Sequence, residues 1–372
     1  MDFSSILILR KLLGLQQIKN HVKSATLVLL SFLFLIACNS EKEAGDAAQN
    51  SPRIKKQTRL VSPKINAEYV LGDVVAFKIE SETPVDSIVL EYEGKESVYL
   101  EKEFDWKAEL GKTGIQKLKV SVYCQDLSET HYPKIIFFSD VTPTKMGYQV
   151  LQTLPHDPTA YTQGLFFMED TLVESTGQKG ESRLSKINLK TAQVYSSTSL
   201  DSQYFGEGST IWKDQIYQLT WTSHTGFVYD LNLNQKQTFS YPHEGWGITT
   251  FGDTLIVSDG TETLHLIDPR DFSEVGKLEV YTDKSKVMNL NELEMIDGIL
   301  YANVWLEEVI VSIDPKSGKV LSVIDMSGLD DRFESDDAEA YNGIAYHAGR
   351  KEIYVTGKLW PNLFQVKFIP KN

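Results

Sequence analysis

The chain has 372 residues, length for two or three domains, with 41% hydrophobic and 24% charged residues, the balance of an ordinary globular protein. Its formal net charge of −14 argues against a nucleic-acid surface, because phosphate binding needs a basic patch, and no nucleic-acid partner is expected.

Near the N-terminus, Arg10, Lys11, Lys19 and Lys23 precede an apolar run from Ala25 to Ala37. That run is too short to span a bilayer core, which needs roughly 20 residues, and it fits the apolar region of a secretory signal. It ends in Leu35-Ile36-Ala37-Cys38, which resembles the lipobox of bacterial lipoproteins. The resemblance implies that residues 1–38 are a lipoprotein signal peptide. Cys38 then carries lipid, and the exported protein is anchored to the bacterial cell envelope, on its periplasmic side or the cell surface. Cys124, the other cysteine, is left without an intrachain partner and reads as a packing residue at a strand end.

Residues 39–58 are polar and rich in Ala, Ser, Glu and Lys, the composition of a disordered tether. Residues 59–141 alternate with period 2, as in Val74–Ile79, Ser87–Tyr92 and Lys117–Tyr123, which predicts a small immunoglobulin-like β-sandwich. Its chemistry is bland and suits a spacer or a docking module. Val141-Thr142-Pro143-Thr144 reads as the linker to the C-terminal part of the chain.

From residue 147 to 372 the chain repeats. Five segments start alike, at Gln163-Gly164-Leu165, Glu207-Gly208-Ser209, Trp246-Gly247-Ile248, Asn291-Glu292-Leu293 and Asn342-Gly343-Ile344. Successive marks lie 44, 39, 45 and 51 residues apart. A second apolar strand succeeds each mark, starting at Leu172, Ile216, Leu255, Leu300 and Ile353, and then a third. Strand-built repeats of this length predict an all-β fold, a five-bladed β-propeller. The chain stops after the third strand of the fifth repeat, so Tyr148 to Thr153 is expected to return and complete that blade, removing an exposed edge.

The repeats define two sets of equivalent positions. The first holds Gln163, Glu207, Trp246, Asn291 and Asn342; the second, five residues into the second strands, holds Gly177, Trp221, Gly260, Trp305 and Lys358. Converging from separate blades, they make aromatic walls with a few aimed polar groups, the composition of a small-molecule pocket.

These residues carry a family resemblance. Tyr161-Thr162-Gln163-Gly164-Leu165, Phe205-Gly206-Glu207-Gly208, Leu219-Thr220-Trp221, Gly245-Trp246-Gly247, Leu290-Asn291-Glu292-Leu293-Glu294, Asn303-Val304-Trp305 and Gly357-Lys358-Leu359-Trp360-Pro361 resemble the motifs of plant-type glutaminyl cyclases, glutaminyl-peptide cyclotransferases also found in bacteria. The resemblance runs from about 148 to 372; Tyr161 stands where the plant enzymes are expected to carry Phe. It implies a transferase that converts the N-terminal glutamine of peptides or proteins to pyroglutamate and releases ammonia. Glu207 is then the candidate proton shuttle. Lys358, Asn291 and Gln163 are candidate donors to the developing oxyanion, and Trp221, Trp246 and Trp305, with Tyr161 and Phe205, the clamp on the substrate.

No histidine pair has metal-ligand spacing, and no nucleophile elbow, phosphate loop or dinucleotide fingerprint occurs. No metal or other cofactor is expected, and the histidines read as structural or surface residues. Two alternatives remain open. A metal-dependent propeller lactonase would use Glu207, Asn291 and Asn342 around an axial ion, and a non-catalytic propeller would bind a partner.

Overall fold

Alternation of apolar and polar residues turns one face of each early strand inward, because successive side chains of a strand point to opposite faces. The computed structural model describes residues 56–108, 111–125 and 127–371. The expected signal peptide, the lipidation site Cys38 and all but the last residues of the tether lie outside them. The first strands are β1 (Thr58–Ser62), β2 (Ala67–Val70), β3 (Val74–Ser81), β4 (Ser87–Tyr92), β5 (Lys95–Tyr99), β6 (Glu103–Lys107), β7 (Gly114–Lys117), β8 (Lys119–Cys124), β9 (Leu127–His131) and β10 (Lys134–Phe138). They form sheets ordered β1-β3-β6, β2-β10-β7 and β5-β4-β8-β9. Val75, Phe77 and Ile79 of β3 meet Ile88 and Leu90 of β4 and Val120 and Val122 of β8 in one apolar core. Cys124 ends β8, buried and free, as its place in the alternation predicts.

Beyond them, β11 (Thr144–Pro155) precedes a series of antiparallel meanders. The first is β12 (Thr162–Met168), β13 (Thr171–Thr176), β14 (Arg183–Ile187) and β15 (Val194–Ser199). The second is β16 (Gly206–Trp212), β17 (Gln215–Thr220), β18 (Thr225–Asp230) and β19 (Gln235–Ser240). The third is β20 (Ile248–Phe251), β21 (Thr254–Ser258), β22 (Thr263–Ile267) and β23 (Glu274–Glu279). The fourth is β24 (Leu290–Ile296), β25 (Ile299–Val304), β26 (Val309–Ile313) and β27 (Val320–Asp325). Last come β28 (Tyr341–His347), β29 (Glu352–Gly357) and β30 (Asn362–Pro370). Each second strand starts one residue before the expected position.

The last unit lacks a strand of its own, and β11 supplies it. Tyr148 pairs with Phe368 and Thr153 with Phe364 in antiparallel register, so the predicted return is present. The returning strand begins at Thr144, earlier than the expected start at 147. Its first residues also pair in parallel with β27, joining the fourth and last units into one eight-stranded sheet. Free edges that would template association are removed this way. The architecture is all-β and propeller-type, and among the described residues no helix is long and apolar enough to cross a membrane.

The innermost strands succeed one another in a closed circle, β12 beside β16, β16 beside β20, β20 beside β24, β24 beside β28, and β28 beside β12. Four of them are buried along nearly their whole length, and the short β20 over its first half. Backbones this close leave no room for a side chain at Gly164, Gly208 and Gly247. Gly208 donates its N–H to the Trp246 carbonyl at 2.7 Å, and a Cβ at Gly208 would stand 2.6 Å from that oxygen. The fourth unit carries Glu292 where the four others carry glycine. Its carboxyl group reaches across the hub and accepts from Leu165 N at 3.3 Å and Ile344 N at 2.9 Å, tying β24 to β12 and β28. The early strands dock on the rim through Thr113, whose Oγ1 donates to Glu279 O at 2.6 Å, and Ile115, whose N–H donates to Glu279 Oε2 at 2.9 Å.

The close approach at Gly208 is testable. Gly208→Ala forces one inner strand away from its neighbour and lowers stability by about 1–3 kcal/mol. The fall in Tm in a thermal melt is then about 2–4 °C per kcal/mol. An unchanged Tm contradicts the packing described.

Candidate active site

Four of the five first-mark residues sit in β-bulges. The register slips between Thr162 and Gly164, Gly206 and Ser209, Leu290 and Leu293, and Tyr341 and Ile344. A bulge takes a residue out of the ladder and re-aims its side chain. Gln163, Glu207, Asn291 and Asn342 all belong to these slipped segments. In the third unit β20 starts at Ile248, and Trp246 precedes it.

The second set lies just past the ends of the second strands. Backbone bonds pin three of its members: Trp221 N to Phe205 O at 3.0 Å, Trp305 N to Asn289 O at 2.8 Å and Lys358 N to Ala340 O at 3.0 Å. Gly177 N is held likewise by Tyr161 O at 2.8 Å. The two glycines leave space for neighbouring rings. A Cβ at Gly260 would lie 2.6 Å from Trp246, and one at Gly177 would overlap Phe205.

The aromatic residues form an arc. Tyr161 meets Phe205 edge-on at 6.0 Å between ring centroids, Phe205 meets Trp221 at 5.7 Å, and Trp246 meets Trp305 at 5.4 Å. Edge-to-face contacts of this kind add about 0.5–1.5 kcal/mol each beyond burial. Glu244 fills the gap between Trp221 and Trp246. Its Oε2 accepts both indole N–H groups, at 2.7 Å and 2.9 Å. Trp221 is 40% exposed and stands at the mouth.

Inside this arc are two opposed charges that do not touch. Glu207 is 5% exposed, and among the described residues nothing donates a hydrogen bond to its carboxyl group. Burial pushes that group well above the usual carboxylic range; Lys358 pulls it back and Glu244 adds to the rise. Lys358 is also 5% exposed. Burial holds it below the ordinary lysine value, against the pull of Glu207 and Glu339. Its Nζ lies 4.8 Å from the Tyr161 ring centroid, within cation–π range. Tyr161 donates its hydroxyl to Glu339 Oε2 at 2.8 Å, and burial with that bond raises the phenol.

The carboxamides differ. Gln163 Oε1 accepts from Asn342 Nδ2 at 2.9 Å, and the same Nδ2 donates to Thr162 O at 3.0 Å. Gln163 therefore keeps its N–H groups for another partner. Asn291 is 3% exposed, and its Oδ1 is buried without a donor. A buried polar atom left unpaired calls for a partner such as a ligand or water.

The sequence profile described as Glutamine cyclotransferase matches residues 120–368, from within β8 to within β30, and so spans all these residues. The chain belongs to this family. A glutaminyl-peptide cyclotransferase of Arabidopsis thaliana is 40% identical over 225 residues, 59% of this chain and 70% of that protein. The crystal structure of Myxococcus xanthus glutaminyl cyclase is 34% identical, with a TM-score of 0.58, and the match covers 62% of this chain and all of that one. The lactonase alternative gives way to this family.

For this glutamine cyclotransferase, the repeat marks led to most of this group of side chains, but two acids that contact it lie outside them. Glu244 precedes the Gly245-Trp246-Gly247 motif, and Glu339 lies in the connection before β28. Neither has a counterpart in the other repeats that could have flagged it. The spacing argument on histidines also missed a contact. His243 stacks on His265 at 3.6 Å, and His265 lies between Asp259 Oδ2 at 2.9 Å and Glu274 Oε2 at 2.6 Å. His243, His265 and Glu274 offer ligand atoms within 4.8 Å of one another. Within this cluster His265 is held by two carboxylates, while His243 Nε2 is buried with no partner among the described residues.

In the hub, burial pushes Glu294 up to about 8 and Glu292 well up, and each is raised while its carboxyl group accepts backbone N–H bonds. A carboxyl group raised on folding holds its proton in the native state, so its stabilising effect is full below about 4.5 and is lost as pH rises through about 8. Glu294→Gln keeps the acceptor to Tyr346 N and removes the titration. Its Tm relative to the parent should rise by several degrees between pH 5 and pH 8 in paired melts. A constant difference across that range contradicts the assignment.

Proposed function

We propose that this glutamine cyclotransferase uses Glu207 as the proton shuttle in forming pyroglutamate. The enzyme is a glutaminyl-peptide cyclotransferase, acting on peptides or proteins with an N-terminal glutamine. The nitrogen of the free α-amine attacks the side-chain carboxamide carbon of the same residue. The new C–N bond closes a five-membered lactam, the bond to the amide nitrogen breaks, and ammonia leaves. One proton must pass from the attacking amine to the departing nitrogen, and a single carboxyl group between them performs both transfers.

The observation that carries this reading is the state of Glu207: a carboxyl group stripped of water, given no donor, and opposed by Lys358 inside an aromatic arc. A pKa brought up toward working pH is what a group that accepts and returns a proton requires. Lys358, Asn291 and Gln163 have uncommitted N–H groups around the cavity and stabilise the oxyanion of the tetrahedral intermediate. Tyr161, Phe205, Trp221, Trp246 and Trp305 hold the glutamine folded back on itself, converting a floppy approach into a near-attack geometry. The cationic α-amine gains from the same aromatic faces before it loses its proton.

The finer architecture belongs to the same proposal. We read the five four-stranded units as blades of a propeller forming a catalytic domain over residues 147–372. Residues 59–141 form an immunoglobulin-like sandwich beside it, and residues 39–58 a tether. Cys38, in its lipobox-like setting, anchors the exported protein to the cell envelope, with 1–38 as the signal peptide. Cys38→Ala should move the protein from the membrane fraction to the soluble fraction; retention in the membrane fraction contradicts the anchor.

The activity test uses a Gln-initiated peptide and the purified protein, read by mass spectrometry and ammonia release. Glu207→Gln should lose about 10²–10⁴-fold in kcat while melting no lower than the parent. Lys358→Met should lose on the order of 10²–10³-fold. Near-parental turnover by a folded Glu207→Gln protein overturns the assignment.

A further inference from the structure

The aromatic arc around Glu207 has one interruption, and a single oxygen closes it. Trp221 comes just after β17 and Trp246 just before β20, so these indoles come from neighbouring units with no ring contact between them. Glu244 Oε2 takes both indole N–H groups, at 2.7 Å and 2.9 Å. Each indole has only this one donor to give, and both are spent on the same atom. Each ring has an aromatic neighbour on its far side, Phe205 for Trp221 and Trp305 for Trp246. With Glu244 in place, the two halves of the arc become one wall. The segment that carries Glu244 is itself fastened: His243 Nδ1 bonds to Glu244 O at 2.7 Å and Gly245 N donates to Trp221 O at 3.2 Å.

We propose that Glu244 is a positioning residue of the glutamine pocket, holding Trp221 and Trp246 at the angle that clamps the substrate and keeping a negative charge beside the shuttle. The proposal rests on the reading of Glu207 and the aromatic arc as the reacting site. A charge-assisted bond from each indole fixes ring orientation more firmly than packing alone at a mouth where Trp221 is partly in solvent. The groups that bear on Glu207 are Lys358, which favours its ionised form, and Glu244, which opposes it; Tyr161 and Tyr241 are the phenols that feel its charge. Removing the Glu244 charge therefore lowers the pH at which Glu207 loses its proton.

Two substitutions separate geometry from charge. Glu244→Ala deletes the acceptor. Glu244→Gln keeps a carbonyl oxygen for the indoles and deletes the charge. Steady-state kinetics on a Gln-initiated peptide should give Glu244→Ala a KM about 10-fold higher, because two oriented bonds are lost, together with a shifted tryptophan emission. Glu244→Gln should restore KM to within about 2-fold and restore the emission. The limb of its kcat/KM profile that disappears in Glu207→Gln should move to lower pH, while the limb set by the substrate amine stays in place. Unchanged KM and emission in Glu244→Ala overturn the positioning role, and an unmoved enzyme-borne limb in Glu244→Gln overturns the charge role. Glu207→Gln, assayed in parallel, keeps the two readings apart. If that variant turns over normally, the site itself is wrongly assigned and this proposal falls with it. If it is inactive while both Glu244 variants match the parent, only this proposal falls.

Discussion

A carboxyl group deprived of water, and given no hydrogen-bond donor in exchange, holds on to its proton. Glu207 is in that condition, and the surrounding residues modulate it. Lys358 stands off without forming an ion pair, so its pull is partial, and Glu244 pushes the other way. A contact ion pair would have favoured the charged form of both groups. Glu207 and Lys358 come from separate units, and no ion pair between them forms among the described residues.

The circular fold makes that separation durable. The functional side chains come from several four-stranded units, so they meet only when the ring is closed. Closure depends on β11 pairing with β30, on glycines such as Gly208 that let inner backbones touch, and on Glu292, which bonds two other inner strands across the hub. Bulges at the head of four inner strands then re-aim one residue per unit. Irregularity at the strand heads is how a symmetric scaffold carries an asymmetric set of groups.

Much of this was legible in the sequence because repetition supplies its own alignment. The marks at Gln163, Glu207, Trp246, Asn291 and Asn342 located the inner strands, and the offset to Trp221, Trp305 and Lys358 located the ends of the second strands. Second-strand starts fell within one residue, and the return of Tyr148 to Thr153 came from a missing strand. What repetition cannot show is a residue without a counterpart. Glu244 and Glu339 lie in connections unique to their units, and their partners Trp221, Trp246 and Tyr161 are fixed by contacts across units. The stacking of His243 on His265 was hidden for the same reason. Glu292 and Glu294 stood inside a motif, but only the folded hub reveals that both carboxyl groups are buried on backbone N–H groups.

The most direct test of the account is an infrared titration of the Glu207 carboxyl group, taken as the difference between the parent protein and Glu207→Gln. Because Glu292 and Glu294 are present in both proteins, their bands cancel. The account predicts a protonated-carboxyl band that persists above the ordinary carboxylic range and vanishes in step with the enzyme-borne limb of kcat/KM. A difference spectrum whose carboxyl ionises at the ordinary glutamate value, or titrates apart from the activity, would contradict it.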